Sequence, residues 1–234
     1  MAAPDPEPPW WTPRKTAAPR RALSRELIVA TALDVLRAEG MDAVSMRRIA
    51  ADLGTGPASL YAHVANKDEL LDGMIDVIVF EIDPPRTDLE WKPAVRARIL
   101  SARRMLLRHP WASHVMETRT RPTMTVMAYM DSMIAMFVAG GFSIDLVHHV
   151  MHAMGSRLMG FTQEMFNDQS DGEQPFQPEM LEQLKTLFPS IYELYLTVNH
   201  EDESIVGAGC DDQSEFEFAL DLMLDGIERL KAAT

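Results

Sequence analysis

Segment after segment of this chain places its apolar residues at the spacing of one helix face, and the breaks fall at glycine or proline. After Ser24, which can serve as an N-cap, Ile28, Ala32, Val35 and Leu36 form one stripe that stops at Gly40. Met46, Ile49, Ala50 and Leu53 form a shorter second stripe, with Arg47, Arg48 and Asp52 on the other faces. The pattern then breaks at Gly54-Thr55-Gly56. Two glycines permit a sharp turn there, Thr55 offers a cap, and Pro57 opens the next helix where its missing N–H costs nothing. Leu60 and Val64 anchor that third helix and leave Pro57, Ser59, Tyr61 and His63 exposed. Asn66, with Glu69 three residues on, has the form of a capping box for a helix from Lys67 to Ile82.

Downstream the same reading predicts a helix from Trp91 to Arg108, with Val95, Ile99 and Met105 or Leu106 on one stripe and Arg96, Arg98, Arg103, Arg104 and Arg108 on its other faces, ready for ion pairs. A short segment, Trp111 to Met116, precedes a helix from Pro122 to Ala139 whose stripe is Met124, Met127, Met130, Ile134 and Phe137. Gly140-Gly141-Phe142 breaks it, and Ser143 caps a helix to about Phe166 that is apolar on nearly every side. Such a helix is buried, here between its own core and a second subunit. Pro178 to Phe188 and Ser190 to Val198 read as helical, flanked by polar loops over 167–177 and 200–213. The chain closes in a helix from Ser214 to Ala232 with a stripe of Phe216, Leu220, Met223, Ile227 and Leu230. Phe218, Leu222 and Leu224 spread more apolar surface, which suits pairing with a second copy in a four-helix interface. The fold class expected is all-α.

A helix, a tight glycine turn and a second helix over Ser45 to Lys67 predict helix-turn-helix geometry, whose second helix enters a DNA major groove. The domains expected are a disordered arm over 1–20, a three-helix helix-turn-helix DNA-binding domain over 21–67, and a larger ligand-binding and dimerisation domain over 68–234. The arm holds six prolines with Trp10 and Trp11 and no helical period. Its Arg14, Lys15, Arg20 and Arg21 either reach DNA or keep the tail soluble.

Charge changes the picture only when divided along the chain. The formal net charge is -13. Residues 1–67 carry nine Lys/Arg against seven Asp/Glu, and the other 167 residues carry thirteen against twenty-eight. The basic charge is concentrated where the helix-turn-helix lies, as expected when one part meets phosphate and the other does not; the acidic remainder reads as solvated surface. A lone Cys210 forms no disulfide within the chain and fits a reducing cytoplasm. No apolar run reaches the roughly 20 residues of a membrane span, and the N-terminus lacks a signal-peptide core.

Candidate chemistry is sparse. His148 and His152 stand at i, i+4 beside His149, but no zinc-protease Glu, cysteine or nearby carboxylate completes a ligand set, so pocket lining or interface polarity is the preferred role. There is no phosphate-cradling glycine loop, nucleophile elbow or catalytic carboxylate pair. The expectation is a non-enzyme with no catalytic residues, no cofactor and no metal site. Among seventeen methionines, Met105, Met116, Met133, Met151, Met154, Met159 and Met165 fall in the larger domain, where Met fills irregular apolar pockets. Trp111, Met116, His148, His152, Phe161 and Met165 are the expected lining of a cavity for a largely apolar effector.

The run Ser45-x-Arg47-x-Ile49-Ala50-x-x-Leu53-Gly54, followed by Ser59-Leu60-Tyr61-x-His63-Val64-x-Asn66-Lys67-x-x-Leu70-Leu71, resembles the DNA-binding signature of the tetracycline-repressor (TetR) family of transcriptional regulators. The resemblance covers residues 24–82 and extends, less specifically, to Thr120-Arg121-Pro122-Thr123, Gly140 to Ser143, Gly160 and Gly226-Ile227-Glu228-x-Leu230. It implies a homodimer that binds a palindromic operator and releases it when a small molecule enters the larger domain. Carried over residue by residue, Arg47 is the base reader, and Ser45, Thr55, Pro57, Ser59, Tyr61, His63 and Lys67 match positions that touch bases or phosphates. Tyr61, His63 and Lys67 are assigned to phosphate, with helix packing the alternative for the first two. Where the drug-binding members hold two His and an Asn, this chain has Asp83, Arg98 and Glu117, which implies an effector other than tetracycline. Glu117 with Glu164 is the remaining cation candidate. The function expected is thus a ligand-responsive cytoplasmic regulator, a repressor in preference to an activator. The alternative is a ligand-binding or interaction protein that keeps the fold without specific DNA binding.

Overall fold

The computed structural model describes residues 22–160, 178–197 and 212–233. Among these there are eleven α-helices, one short 3-10 turn and no β-strand. They divide into two compact units, one ending at Met74 and one beginning at Ile75. The arm over 1–20, the loop over 167–177 and the stretch 200–211 lie outside the described residues. No helix among those described is long and apolar enough to cross a membrane.

The first unit holds α1 (Arg25–Glu39), the 3-10 turn Met41–Ala43, α2 (Met46–Asp52), α3 (Pro57–Leu60) and the start of α4 (Lys67–Val79). Side-chain oxygens start three of these helices. Ser24 accepts from the Leu27 N–H (3.3 Å), Ser45 from the Arg48 N–H (3.2 Å) and Asn66 from the Glu69 N–H (2.8 Å). Each satisfies a donor that a helix N-terminus would otherwise leave orphaned. Glu69 reaches back to the Ala65 N–H at 2.7 Å, one residue earlier than in the usual capping box. Ile28, Ile49, Leu60, Val64 and Leu70 are fully buried, so the stripes of α1 to α4 are each spent on the unit's interior. The unit extends past Lys67 because Leu70 and Met74 are also fully buried. A Cβ on Gly73 would meet the Val29 side chain at 2.8 Å, so α4 and α1 nearly touch there.

In the second unit, α5 (Trp91–Arg108), α7 (Met124–Ala139), α8 (Ile144–Gly160) and α11 (Asp212–Ala233) share one core, which includes Val95, Ile99, Met133, Phe137, Val147, Phe216 and Leu224. Helices α6 (Trp111–Glu117), α9 (Pro178–Leu187) and α10 (Pro189–Thr197) complete it. Polar pairs tie α5 to α11: Arg96 bonds Asp221 (2.6 Å) and Glu217 (2.7 Å), and Lys92 bonds Glu228 (2.9 Å) and Asp225. Two sequence-derived stripes shift. On α11 the core row is Phe216, Leu220, Leu224 and Ile227, while Leu230 is exposed. On α7 Met133 and Phe137 are buried, whereas Met124, Met127 and Met130 are exposed to solvent or hollow.

Turns after α2 and α7 use the same device. Gly54 (φ 62°) and Gly141 (φ 84°) take the left-handed conformation one residue beyond the C-cap. The Thr55 N–H then bonds the Ala50 carbonyl (2.9 Å) and the Phe142 N–H the Phe137 carbonyl (3.2 Å), closing a Schellman motif each time. Gly140 serves a different need, since a Cβ there would lie 2.7 Å from the Trp91 Cβ and 2.8 Å from its Cγ. Gly140→Ala should therefore lower stability by about 1–3 kcal/mol through overpacking against a ring that cannot yield, read as a drop in melting temperature.

Candidate functional site

On the first unit, the side chains left out of the core form a candidate nucleic-acid interface. Packing takes Ile49, Ala50, Leu60 and Val64 inward. That turns Arg47, Pro57, Ser59, Tyr61, His63 and Lys67 outward, all exposed, with Tyr61 at 51%. Thr55 is half-buried. It does not cap α3 as expected from the sequence: Gly56 holds the N-cap position with no side-chain bond, because the Thr55 backbone N–H is committed to ending α2. Ser45 caps α2 through its oxygen, which leaves its O–H free to donate to a phosphate.

The two adjacent arginines of α2 divide the work. Arg48 is taken by its own unit: it pairs with Glu39 (2.6 Å) and with Asp52 one turn on. Those partners raise its pKa, first through the hydrogen bond to Glu39. Arg47 is exposed and has no ion pair or hydrogen bond among the described residues, so its guanidinium fork is available for two parallel bonds to an acceptor pair such as a guanine edge.

The second unit contains a cavity of about 360 Å³. Six methionines, Met105, Met116, Met130, Met133, Met151 and Met154, make up much of its wall, with Val79 from the end of α4 and Ile82 just beyond. Tyr129 is the one lining side chain with an oxygen or nitrogen among the described residues. A second hollow of about 320 Å³ shares Met130 and Met151 with the first and is lined by His148 and His152.

The expected lining residues thus separate. Met116 lines the first cavity, and His148 and His152 line the second hollow with their rings 4.7 Å apart. Trp111 lines neither. It lies five residues before Met116 on α6, well round the helix, and its buried indole N–H meets no acceptor. Phe161, Met165 and Glu164 lie outside the described residues. Glu117 is exposed at the end of α6, and no group of three or more His, Cys, Asp or Glu that could hold a metal occurs among the described residues.

Sequence reasoning missed Tyr129, and it named Arg98 only as an ion-pairing residue and as replacing a drug-contacting Asn. Arg98 is only 9% exposed; it donates to the Asp83 carbonyl and to the Ser132 hydroxyl (3.1 Å), and its guanidinium carbon sits 5.0 Å from the Tyr129 ring centroid. Burial pushes the Tyr129 phenol up to about 12 against the lowering effect of Arg98, so it is a neutral donor at physiological pH. Ion pairing describes Arg96, Arg104 and Arg108, as expected. Arg98 and Arg103 also stack on rings, Arg103 at 4.2 Å from the Phe216 centroid. The only sequence signal for Tyr129 was that it is the one tyrosine in a long methionine-rich helix.

With this geometry in place, comparison with known proteins is informative. A family profile described as "Bacterial regulatory proteins, tetR family" matches residues 28–74, and one described as "Tetracyclin repressor-like, C-terminal domain" matches residues 84–230. The chain is 31% identical over 95% of its length, and 84% of the relative's, to the HTH-type transcriptional repressor DrrR1 of Streptomyces coeruleorubidus. It is 32% identical to an HTH-type transcriptional regulator of Saccharopolyspora erythraea, over 57% of each protein. Among solved structures, ActR of Streptomyces coelicolor in complex with actinorhodin is similar at a TM-score of 0.69 and 29% identity, covering 89% of this chain and 98% of that one.

Proposed function

This chain belongs to the TetR family of bacterial regulators and is a DNA-binding transcriptional regulator, not an enzyme, and we propose that it is a repressor released from its operator by a small apolar effector. The observation that carries this reading is the position of Val79 and Ile82. They belong to the segment that starts as α4 at Lys67, beside the helix-turn-helix, and they form part of the cavity wall. A molecule that fills the cavity presses on that same segment.

Release then follows from a population shift. The effector must bind better to a conformation whose two recognition helices are misplaced than to one with them about 34 Å apart, one turn of DNA. A homodimer supplies the two helices, and a palindromic operator mirrors its two-fold axis. On this reading Arg47 reads a base, Ser45, Thr55, Pro57 and Ser59 lie along the groove, and Tyr61, His63 and Lys67 hold phosphates. The protein acts in the cytoplasm, and its effector is a small, largely apolar molecule with one or two polar groups, as the methionine-rich wall with its single tyrosine suggests.

A gel shift against the DNA flanking its own gene tests both halves. Affinity is expected to fall by about 10³-fold or more from about 50 to about 200 mM salt, the response of a protein that contacts six to ten phosphates. A small neutral apolar ketone such as 9-fluorenone is the first effector to add, and it should release the DNA. Binding that ignores both salt and competitor sequence would defeat the repressor reading.

A further inference from the structure

We propose that the cavity selects small, neutral, largely apolar molecules by a hydrogen bond donated by the Tyr129 hydroxyl to a carbonyl-type oxygen on the ligand. The proposal rests on reading the 360 Å³ cavity as the effector site and names the chemistry that it accepts.

Among the described lining residues no side chain is charged, and aliphatic carbons and methionine thioethers surround the space. A carboxylate or ammonium entering it would give up its hydration for groups that cannot replace it. The ligand is therefore neutral where it meets this wall. The volume lies at the small end of the range for small-molecule sites, so the ligand is small. Methionines adjust to many outlines, so shape alone discriminates weakly among such molecules. A directional contact is needed to hold one orientation.

Tyr129 is the one group placed to supply it. Its hydroxyl bonds to no other residue in the described structure, and only its ring and backbone are engaged. Arg98 fixes the ring from the side. The guanidinium is itself held by the Asp83 carbonyl and by Ser132, and it lies 5.0 Å from the ring centroid. A phenol can donate or accept. A permanent cation over the ring withdraws electron density from the oxygen, which favours donation and disfavours acceptance. Burial keeps the phenol protonated, up to a pKa of about 12, so the donor is present throughout the physiological range. An acceptor oxygen on the ligand completes the pair, and a hydrocarbon of equal outline leaves the hydroxyl unmatched, which is the stronger source of discrimination.

A matched pair of probes tests this on the full chain. Fluorene and 9-fluorenone share an outline and differ by the ketone oxygen. Equilibrium dialysis should show the fluorenone-to-fluorene affinity ratio falling about five- to tenfold on Tyr129→Phe, mostly because fluorene binds more tightly once no hydroxyl is left unmatched, the size of effect expected for one neutral hydrogen bond. Phenylalanine keeps the ring under Arg98 and removes an unpaired hydroxyl, so the variant should melt no lower than the parent. Fluorene-9-carboxylate should bind at least about tenfold more weakly than fluorene, as the cost of burying its charge requires. An affinity ratio unchanged by Tyr129→Phe, equal binding of the carboxylate, or no binding of either probe would overturn the proposal. The dialysis contains no DNA. A failed gel shift thus defeats the repressor reading and leaves the ratio standing, while an unchanged ratio with operator binding intact defeats this inference alone.

Discussion

Arg47→Ala is expected to weaken operator binding by roughly 5- to 150-fold, the equivalent of about 1–3 kcal/mol for a lost bidentate base contact. The melting temperature should stay within about 1 °C, because an exposed side chain with no partner contributes little to stability. Competitor DNA altered at the contacted base should lose most of its disadvantage in the variant, since the group that told the two apart is gone. Arg48 provides the contrast from the neighbouring position. Its bonds to Glu39 and Asp52 serve the first unit, so Arg48→Ala should lower stability modestly and leave base preference unchanged. Operator binding by Arg47→Ala equal to that of the parent would sink the assignment of Arg47 as base reader.

A larger effect on folding is expected from Phe137→Ala. Phe137 is fully buried, with ring centroids 5.5 Å from Phe142 and 6.0 Å from Trp91. Its core also contains Val95 of α5, Val147 of α8 and Leu224 of α11, so a hole at this point touches all four helices that share the core. Truncating such a side chain costs about 3–5 kcal/mol, the lost transfer energy plus the cavity that cannot collapse. For a chain of this size that lowers the melting temperature by about 6–20 °C. The two Schellman turns and the Arg96 ion pairs do not depend on the ring and should persist. A loss below about 1 kcal/mol would show that the three rings are not the centre of the core.

The helix-turn-helix was legible residue by residue. Its stripes, Met46, Ile49 and Ala50 in α2 and Leu60 and Val64 beyond, are buried as their spacing requires, and the polar residues between them are exposed. Asn66 caps α4 as its position implied. The cap of α3 was misread because Thr55 looks like a cap by composition, whereas its backbone is needed to end the preceding helix. In the larger unit the helices were legible and their faces were not. α7 is apolar on nearly every side, so its period cannot choose between Met130 and Met133 as the inward residue. Arg98 and Arg103 read as ion-pairing residues on the helix's outer faces, yet both are buried against aromatic rings. Trp111 reads as pocket lining and stands elsewhere, while Tyr129 takes the polar place in the wall.

By itself the sequence determined what acts over a few residues: where helices start, where glycine ends them, which side chains of short amphipathic helices face inward, and the signature that places the chain in its family. Those features rest on caps, φ preferences and 3.6-residue spacing, all of which are local. Only the tertiary structure decided which face of an apolar helix turns toward the core. It also decided that Arg48 is tied down while Arg47 is free, and that Arg98 lies over Tyr129, thirty-one residues further along. Those choices depend on side chains from distant helices competing for the same buried space, and the spacing of residues along one helix carries no information about that competition.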